Sequence, residues 1–119
     1  MHIECVELRL LEMDLVAPFE TSFGRTTRRQ VTLLKVTGDG LTGWGECVAE
    51  EGPWYSYETR DTAWHILRDF AIPRVLGRTF DSPTGVWDAL RPIRGHNMAK
   101  AGLELATWDL WARQQGVSL

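Results

Sequence analysis

The chain has 119 residues, 44% hydrophobic and 24% charged, a balance that suits one soluble globular domain. Its net charge of -3 sets up no field for nucleic acid or an anionic membrane, and the basic clusters at 25–29 and at Arg91 and Arg94 are too short for a nucleic-acid stripe. No apolar run reaches the length of a membrane span, and glutamates in MHIECVELRL stand where a signal peptide would be basic and apolar, so the expected location is cytoplasmic.

Residues 2–15 favour strand. Val6, Leu8 and Leu10 share one phase while Leu11, Met13 and Leu15 share the other, which predicts a bulge or twist between them. Cys5 here and Cys47 further on lack metal-type spacing and read as reduced, buried small hydrophobes. Residues 17–27, APFETSFGRTT, lack a sustained pattern and read as a loop carrying exposed Phe19 and Phe23. Residues 29–37 are rich in β-branched and aliphatic side chains and predict a second strand. Gly38-Asp39-Gly40 signals a tight turn into a third strand at 41–49. Gly43 and Gly45 weaken that strand, so they mark a bend or a close backbone approach.

The period then changes. Ser56 reads as the cap of a helix over 57–76, with Glu58 and Asp61 complementing its dipole. Ala63, Leu67 and Phe70 form its apolar face, flanked by Ile66; Pro73 interrupts it near Ile72 and Gly77 ends it. Ser82-Pro83 starts a short helix over 83–91. The last helix covers 97–115, with Asn97 as cap and Gly116 at its end. Its stripe is Ala99, Leu103, Ala106 and Leu110, widened by Met98, Leu105, Trp108 and Ala112; Asp109 and Arg113 are spaced for an ion pair. The layout is an α+β fold in a single domain, 1–119: a three-stranded antiparallel sheet followed by three helices, without repeats or linkers.

The stretch GWGECVAEEGPWYSYET, at 43–59, holds four glutamates, a set that can bind a hard cation through oxygen. Glu46 falls in a strand and Glu58 at a helix start, however, and the adjacent Glu50 and Glu51 diverge in an extended segment. They read instead as one strand residue, two solvated loop charges and one dipole partner, so no metal site is expected. His2, His65 and His96 lie far apart without metal-type spacing. Ser22 and Ser56 lack a nucleophile context, Cys47 has no neighbouring base, and Gly43-x-Gly45 is no dinucleotide fingerprint. The two lysines, Lys35 and Lys100, fall in a strand and a helix. As general acid–base machinery that supply is thin. What remains is a pair of loops, 18–24 and 49–55, each with aromatic faces, small polar groups and glycine, suited to wall a small organic ligand. Composition leaves that reading level with simple packing of both loops on their own sheet.

Five motifs cover nearly the whole chain: APFETSFG at 17–24, GWGEC at 43–47, GPWYSYET at 52–59, the Ile72-Pro73 step, and GHNMAKAGLELATWDLWAR at 95–113. In these the chain resembles the N-terminal capping domain of the enolase superfamily, in the o-succinylbenzoate synthase / N-acylamino-acid racemase branch. GWGE and the last-helix motif are shared by the superfamily; the first loop, GPWYS and GHNMAK point to the branch. The resemblance implies a cap whose two loops close over a (β/α)₇β barrel and help select a small carboxylate substrate. Phe19, Thr21, Ser22, Phe23 and Tyr55 are the substrate-binding candidates it implies.

By the same resemblance, barrel carboxylates would bind a divalent cation, usually magnesium, and barrel lysines would move a proton next to the substrate carboxylate. Dehydration to o-succinylbenzoate, a step of menaquinone biosynthesis, or racemisation of N-acylamino acids would follow. The catalytic barrel is absent from this chain, so the chain alone is expected to be inactive. It is expected to expose a barrel-facing apolar surface, with Trp108 or Trp111 on it, prone to self-association or a swapped dimer. The alternatives are the cap of a cycloisomerase or dipeptide epimerase, or a stand-alone α+β binding module.

Overall fold

The turn at 38–40 organises the sheet. Asp39 (φ 52°) and Gly40 (φ 75°) are both left-handed, the geometry whose twist matches flanking antiparallel strands. They join β2 (Gly24–Gly38) to β3 (Leu41–Cys47). In the computed structural model, which describes residues Met1–Leu119, β2 also pairs with β1 (Cys5–Thr21), so the antiparallel order is β1-β2-β3.

The strand limits differ from expectation in an informative way. Residues 2–4 lie outside β1, because Ile3 is buried and exchanges backbone bonds with Arg78 and Gly77 instead. At the other end β1 runs on to Thr21 and β2 starts at Gly24, so the expected loop at 17–27 is the end of a long hairpin. Phe19 pairs with Thr26, and Thr21 with Gly24. The register is regular from Cys5–Thr37 to Asp14–Arg28 and shifts between Asp14 and Phe19, so the bulge lies beyond the phase switch at Leu10 and Leu11. Residues 16–29 are all exposed, and a ribbon with no buried face carries no alternation to read. Cys5, at the start of this edge strand, is exposed too, contrary to expectation.

The helical layer begins with α1 (Arg60–Ile66), not at residue 57. Its cap is Thr59: the Thr62 amide donates to Thr59 Oγ1 at 3.3 Å, and the Thr59 amide donates to Thr62 Oγ1 at 2.8 Å. Ser56 sits earlier, where its hydroxyl accepts from the Glu58 amide at 3.2 Å. A π turn, Leu67–Ala71, follows α1, and the Ile72 amide reaches back to the Leu67 carbonyl. The wider turn advances the buried phase by one residue, so Ala71 is buried and Phe70 is half exposed. A 3₁₀ turn, Ile72–Arg74, contains Pro73, and Gly77 (φ 73°) closes the segment. Next, α2 spans Pro83–Leu90, with the Ser82 hydroxyl bonded to Thr84 rather than to a helix amide.

Finally α3 (Asn97–Gln115) crosses the sheet. Ala99, Leu103, Ala106 and Leu110 are buried with Leu34, Val36 and Cys47 in one core, each leucine contributing about 1.5–3 kcal/mol. The glycines of GWGEC explain how close α3 comes. A Cβ on Gly43 would overlap the Ala106 carbonyl oxygen, and one on Gly45 would overlap that of Gly102. Helix and strand therefore touch backbone to backbone. Asp109 adds a clamp, accepting from the Trp44 amide at 2.9 Å and from Arg113 Nε at 3.1 Å. Leu105 does not widen the stripe; it is exposed, while Trp108 and Trp111 are half-buried and meet edge to face at 5.8 Å.

Candidate ligand-binding cleft

Two stretches lie outside the sheet–helix core, and they face each other. The end of the β1–β2 hairpin is one, and residues 48–59, between β3 and α1, are the other. Between them is a cleft of about 590 Å³, the size of a small-molecule site. Glu12, Leu15, Phe19, Arg28 and Arg29 line the hairpin side, and Glu50, Glu51, Trp54 and Tyr55 the opposite side. Glu58 and Met98 close it towards α3.

The far wall is a built loop. The Arg60 amide donates to the Glu50 carbonyl at 2.6 Å, bringing the ends of 50–60 together in the manner of an Ω-loop. The Arg60 guanidinium also donates to Gln30 on β2, fastening the loop base beside the cleft. Within the loop, the Trp54 indole lies so close to Gly52 that a Cβ there would run into it.

Charge in the cleft is unevenly committed. Arg28 is paired with Asp14 at 2.9 Å and Glu12 at 3.3 Å. Arg29 has no carboxylate within ion-pair distance, and neither Glu50 nor Glu51 pairs with a cation. Aromatic faces beside an uncommitted guanidinium suit a small organic anion with an apolar body.

Of the candidates read from sequence, Phe19 and Tyr55 are brought together at this cleft, 63% and 75% exposed. Thr21, Ser22 and Phe23 lie at the hairpin tip outside its lining, and Thr21 Oγ1 donates to the Gly24 carbonyl at 3.2 Å. Sequence reasoning missed Trp54, Arg28, Arg29, Glu12 and Met98. Trp54 was within reach, two residues past Gly52 in a loop already singled out. The arginines needed the hairpin, because only its pairing carries them under that loop.

The remaining titratable groups have local partners. Glu58 does not serve α1 as expected: it is 3% exposed and accepts from the amides of Met98 at 2.9 Å and Ala99 at 3.0 Å, so it caps α3. Asn97 is therefore not the cap; it is the first helical residue, preceded by His96 in left-handed geometry. Glu50 and Glu51 do not diverge, for both line the cleft. His65 pairs with Asp69 at 2.7 Å and His2 with Thr79 at 3.1 Å, while His96 Nδ1 is buried without a partner. Lys35 holds Glu7 at 2.8 Å; that bond, with a second from Arg9, lowers the Glu7 carboxyl from 4.5 to about 2. Lys100 donates to the Ile93 carbonyl at 3.1 Å and lies over the Trp87 ring. Burial pushes the Cys47 thiol up, away from reactivity. No grouping of three His, Cys, Asp or Glu is placed to hold a metal, and no helix is long and apolar enough to cross a membrane.

Comparison with known proteins adds context to this geometry. Residues 5–119 match the family model for the mandelate racemase / muconate lactonizing enzyme N-terminal domain. The chain is 48% identical over 120 residues to an o-succinylbenzoate synthase of Geobacillus stearothermophilus, covering 100% of this chain and 32% of that protein. It is 49% identical over 116 residues to an N-succinylamino acid racemase of Thermus thermophilus, covering 98% and 31%. Among solved structures, a member of the enolase superfamily from Listeria innocua superposes with a TM-score of 0.90 at 31% identity, covering 97% of this chain and 31% of that one. The chain thus spans about a third of the length of the curated relatives it matches.

Proposed function

The chain belongs to the mandelate racemase / muconate lactonizing enzyme family, as its N-terminal domain, and we propose that it is the substrate-selecting cap of an o-succinylbenzoate synthase / N-acylamino-acid racemase-type enzyme. The observation that carries this reading is the cleft itself, where Phe19 on the hairpin stands opposite Trp54 and Tyr55 on the loop, with Arg29 uncommitted on the hairpin side. Such walls bind and orient a small carboxylate and keep water from it. Phe19, Trp54 and Tyr55 make the main contacts, and Thr21, Ser22 and Phe23, outside the lining, meet only a substrate that extends to the hairpin tip.

The chemistry of the whole enzyme would be removal of a proton next to the substrate carboxylate, then loss of water or return of the proton. A divalent cation, magnesium in such enzymes, would stabilise the charge that develops. The residues of this chain do not fit that ion, since none of their groupings offers a ligand set, so cation and proton-transfer groups are assigned to the barrel. The outer side of α3, with Leu105 exposed and Trp108 and Trp111 half-buried, is assigned to the barrel-facing surface; uncovered, it favours self-association. The enzyme is assigned to the cytoplasm.

The test is to assay the full-length protein for dehydration of the cyclohexadiene carboxylate and for racemisation of N-acylamino acids. Activity on either supports the branch, and turnover of muconates or dipeptides alone sinks it. Phe19→Ala and Tyr55→Ala are each expected to lower kcat/KM about tenfold, equivalent to about 1.4 kcal/mol. Both variants staying within about twofold of the parent would remove the cleft from the reaction.

A further inference from the structure

We propose that Glu58 is a positioning residue for the cleft, holding the 50–59 loop on the N-terminus of α3 so that Trp54 and Tyr55 face the hairpin; this rests on the cleft being the substrate site. Glu58 is a nearly fully buried carboxylate, yet no cation pairs with it. Its partners are two orphan amides of α3, Met98 and Ala99, forty and forty-one residues away in sequence. A helix normally takes such a cap from its own first residues. Here His96 is left-handed and makes no side-chain cap bond, so α3 is finished only by the loop.

The attachment is doubled. Tyr57 Oη accepts from the His96 amide at 2.7 Å, and the two rings meet edge to face at 5.8 Å. The loop's other end is fixed by the Arg60 to Glu50 backbone bond. Only the residues between these anchors are free to present side chains, and Tyr55 stands three positions from Glu58. Glu58 and Met98 both border the cleft, so the cap bond lies at the site's edge and not elsewhere in the fold. An ordered loop presents its aromatic faces to a ligand without first losing conformational freedom, whereas a loosened one must be ordered by binding. Loss of the anchor should therefore weaken substrate binding more than the chemical step.

The test compares Glu58→Ala, Glu58→Gln, Tyr55→Ala and the double variant Tyr55→Ala/Glu58→Ala in the full-length enzyme, measuring KM and kcat separately. Expected is about a tenfold rise in KM for Glu58→Ala with kcat within about threefold. Glu58→Gln should fall between it and the parent, because an amide can accept from one helix amide but turns a donor towards the other. The double variant should fall short of the sum of the two single effects, since Glu58 acts in part through that side chain. A residue that only stabilises the fold would lower the active fraction, and with it apparent kcat, at unchanged KM. That pattern, or additive effects in the double variant, overturns the proposal. If Glu58→Ala does not fold, Glu58→Gln decides: a KM equal to the parent's counts against it. Phe19→Ala and Tyr55→Ala both within about twofold of the parent in kcat/KM overturn the underlying reading and the proposal together, whereas a raised KM for Tyr55→Ala beside an unchanged one for Glu58→Gln and Glu58→Ala overturns the proposal alone.

Discussion

Replacing Gly45 by alanine tests whether the GWGEC glycines exist for the helix. The added Cβ would overlap the Gly102 carbonyl oxygen and stand 2.6 Å from the Ala106 nitrogen and 3.0 Å from its Cβ. Carbon–oxygen contacts need about 3.3 Å, so α3 must retreat by roughly 1 Å. Overpacking costs about 1–3 kcal/mol, and the upper end applies because a helix backbone, not a rotamer, must yield. Alanine returns about 0.4–1 kcal/mol by stiffening the unfolded chain. The net expectation is a loss of about 2–2.5 kcal/mol, or roughly 10 °C in Tm for a domain of this size. Gly24→Ala makes the matched control, because a Cβ there meets nothing within 4 Å and its φ is not left-handed. It should be neutral or slightly stabilising. Both are measured by urea and thermal unfolding of the 119-residue chain, followed by tryptophan fluorescence. Gly45→Ala within about 0.5 kcal/mol of the parent, or Gly24→Ala destabilising as much as Gly45→Ala, would refute the reasoning.

Two further outcomes follow from named contacts. The Glu7 carboxyl sits at about 2 against an ordinary 4.5, chiefly through Lys35 and then Arg9, so the stability it contributes is full above about pH 4.5 and is lost as pH falls towards 2. The gap in urea midpoint between the parent and Glu7→Gln should be present at pH 7 and close by pH 2; a gap that persists there denies the ionic origin. Thr59→Ala removes one arm of the capping box on α1 and should cost about 1 kcal/mol, seen as faster amide exchange at Thr62 and Ala63; unchanged exchange would return the cap to another residue.

Regular burial made much of this fold legible in sequence. The stripe Ala99, Leu103, Ala106 and Leu110 is buried as its spacing implies, Gly38-Asp39-Gly40 turns β2 into β3, and Ser82-Pro83 starts α2. Legibility failed where no face is buried or where partners are distant. The ribbon at 16–29 has solvent on both sides, so residues 17–27 offer no period and read as a loop. Phe70 reads as a core residue from its spacing, because the π turn that moves burial to Ala71 leaves no local signature. Glu58 looked like a partner for the dipole of the helix that follows it, and only the tertiary fold brings α3 to it. The cleft was half legible for the same reason. Phe19 and Tyr55 could be singled out as unexplained aromatics, but Arg28 and Arg29 reach the site through the hairpin pairing.

That ribbon has a consequence for how such a protein changes over time. Its side chains have no neighbours in the core, so a substitution at Phe19 or Phe23 leaves the backbone seam between β3 and α3 intact. Ladder hydrogen bonds, indifferent to side-chain identity, keep its shape. Selection can therefore try new residues on this ribbon almost free of the stability threshold that restrains most mutations. The division of labour leaves a few positions free to vary on a scaffold that does not feel their change.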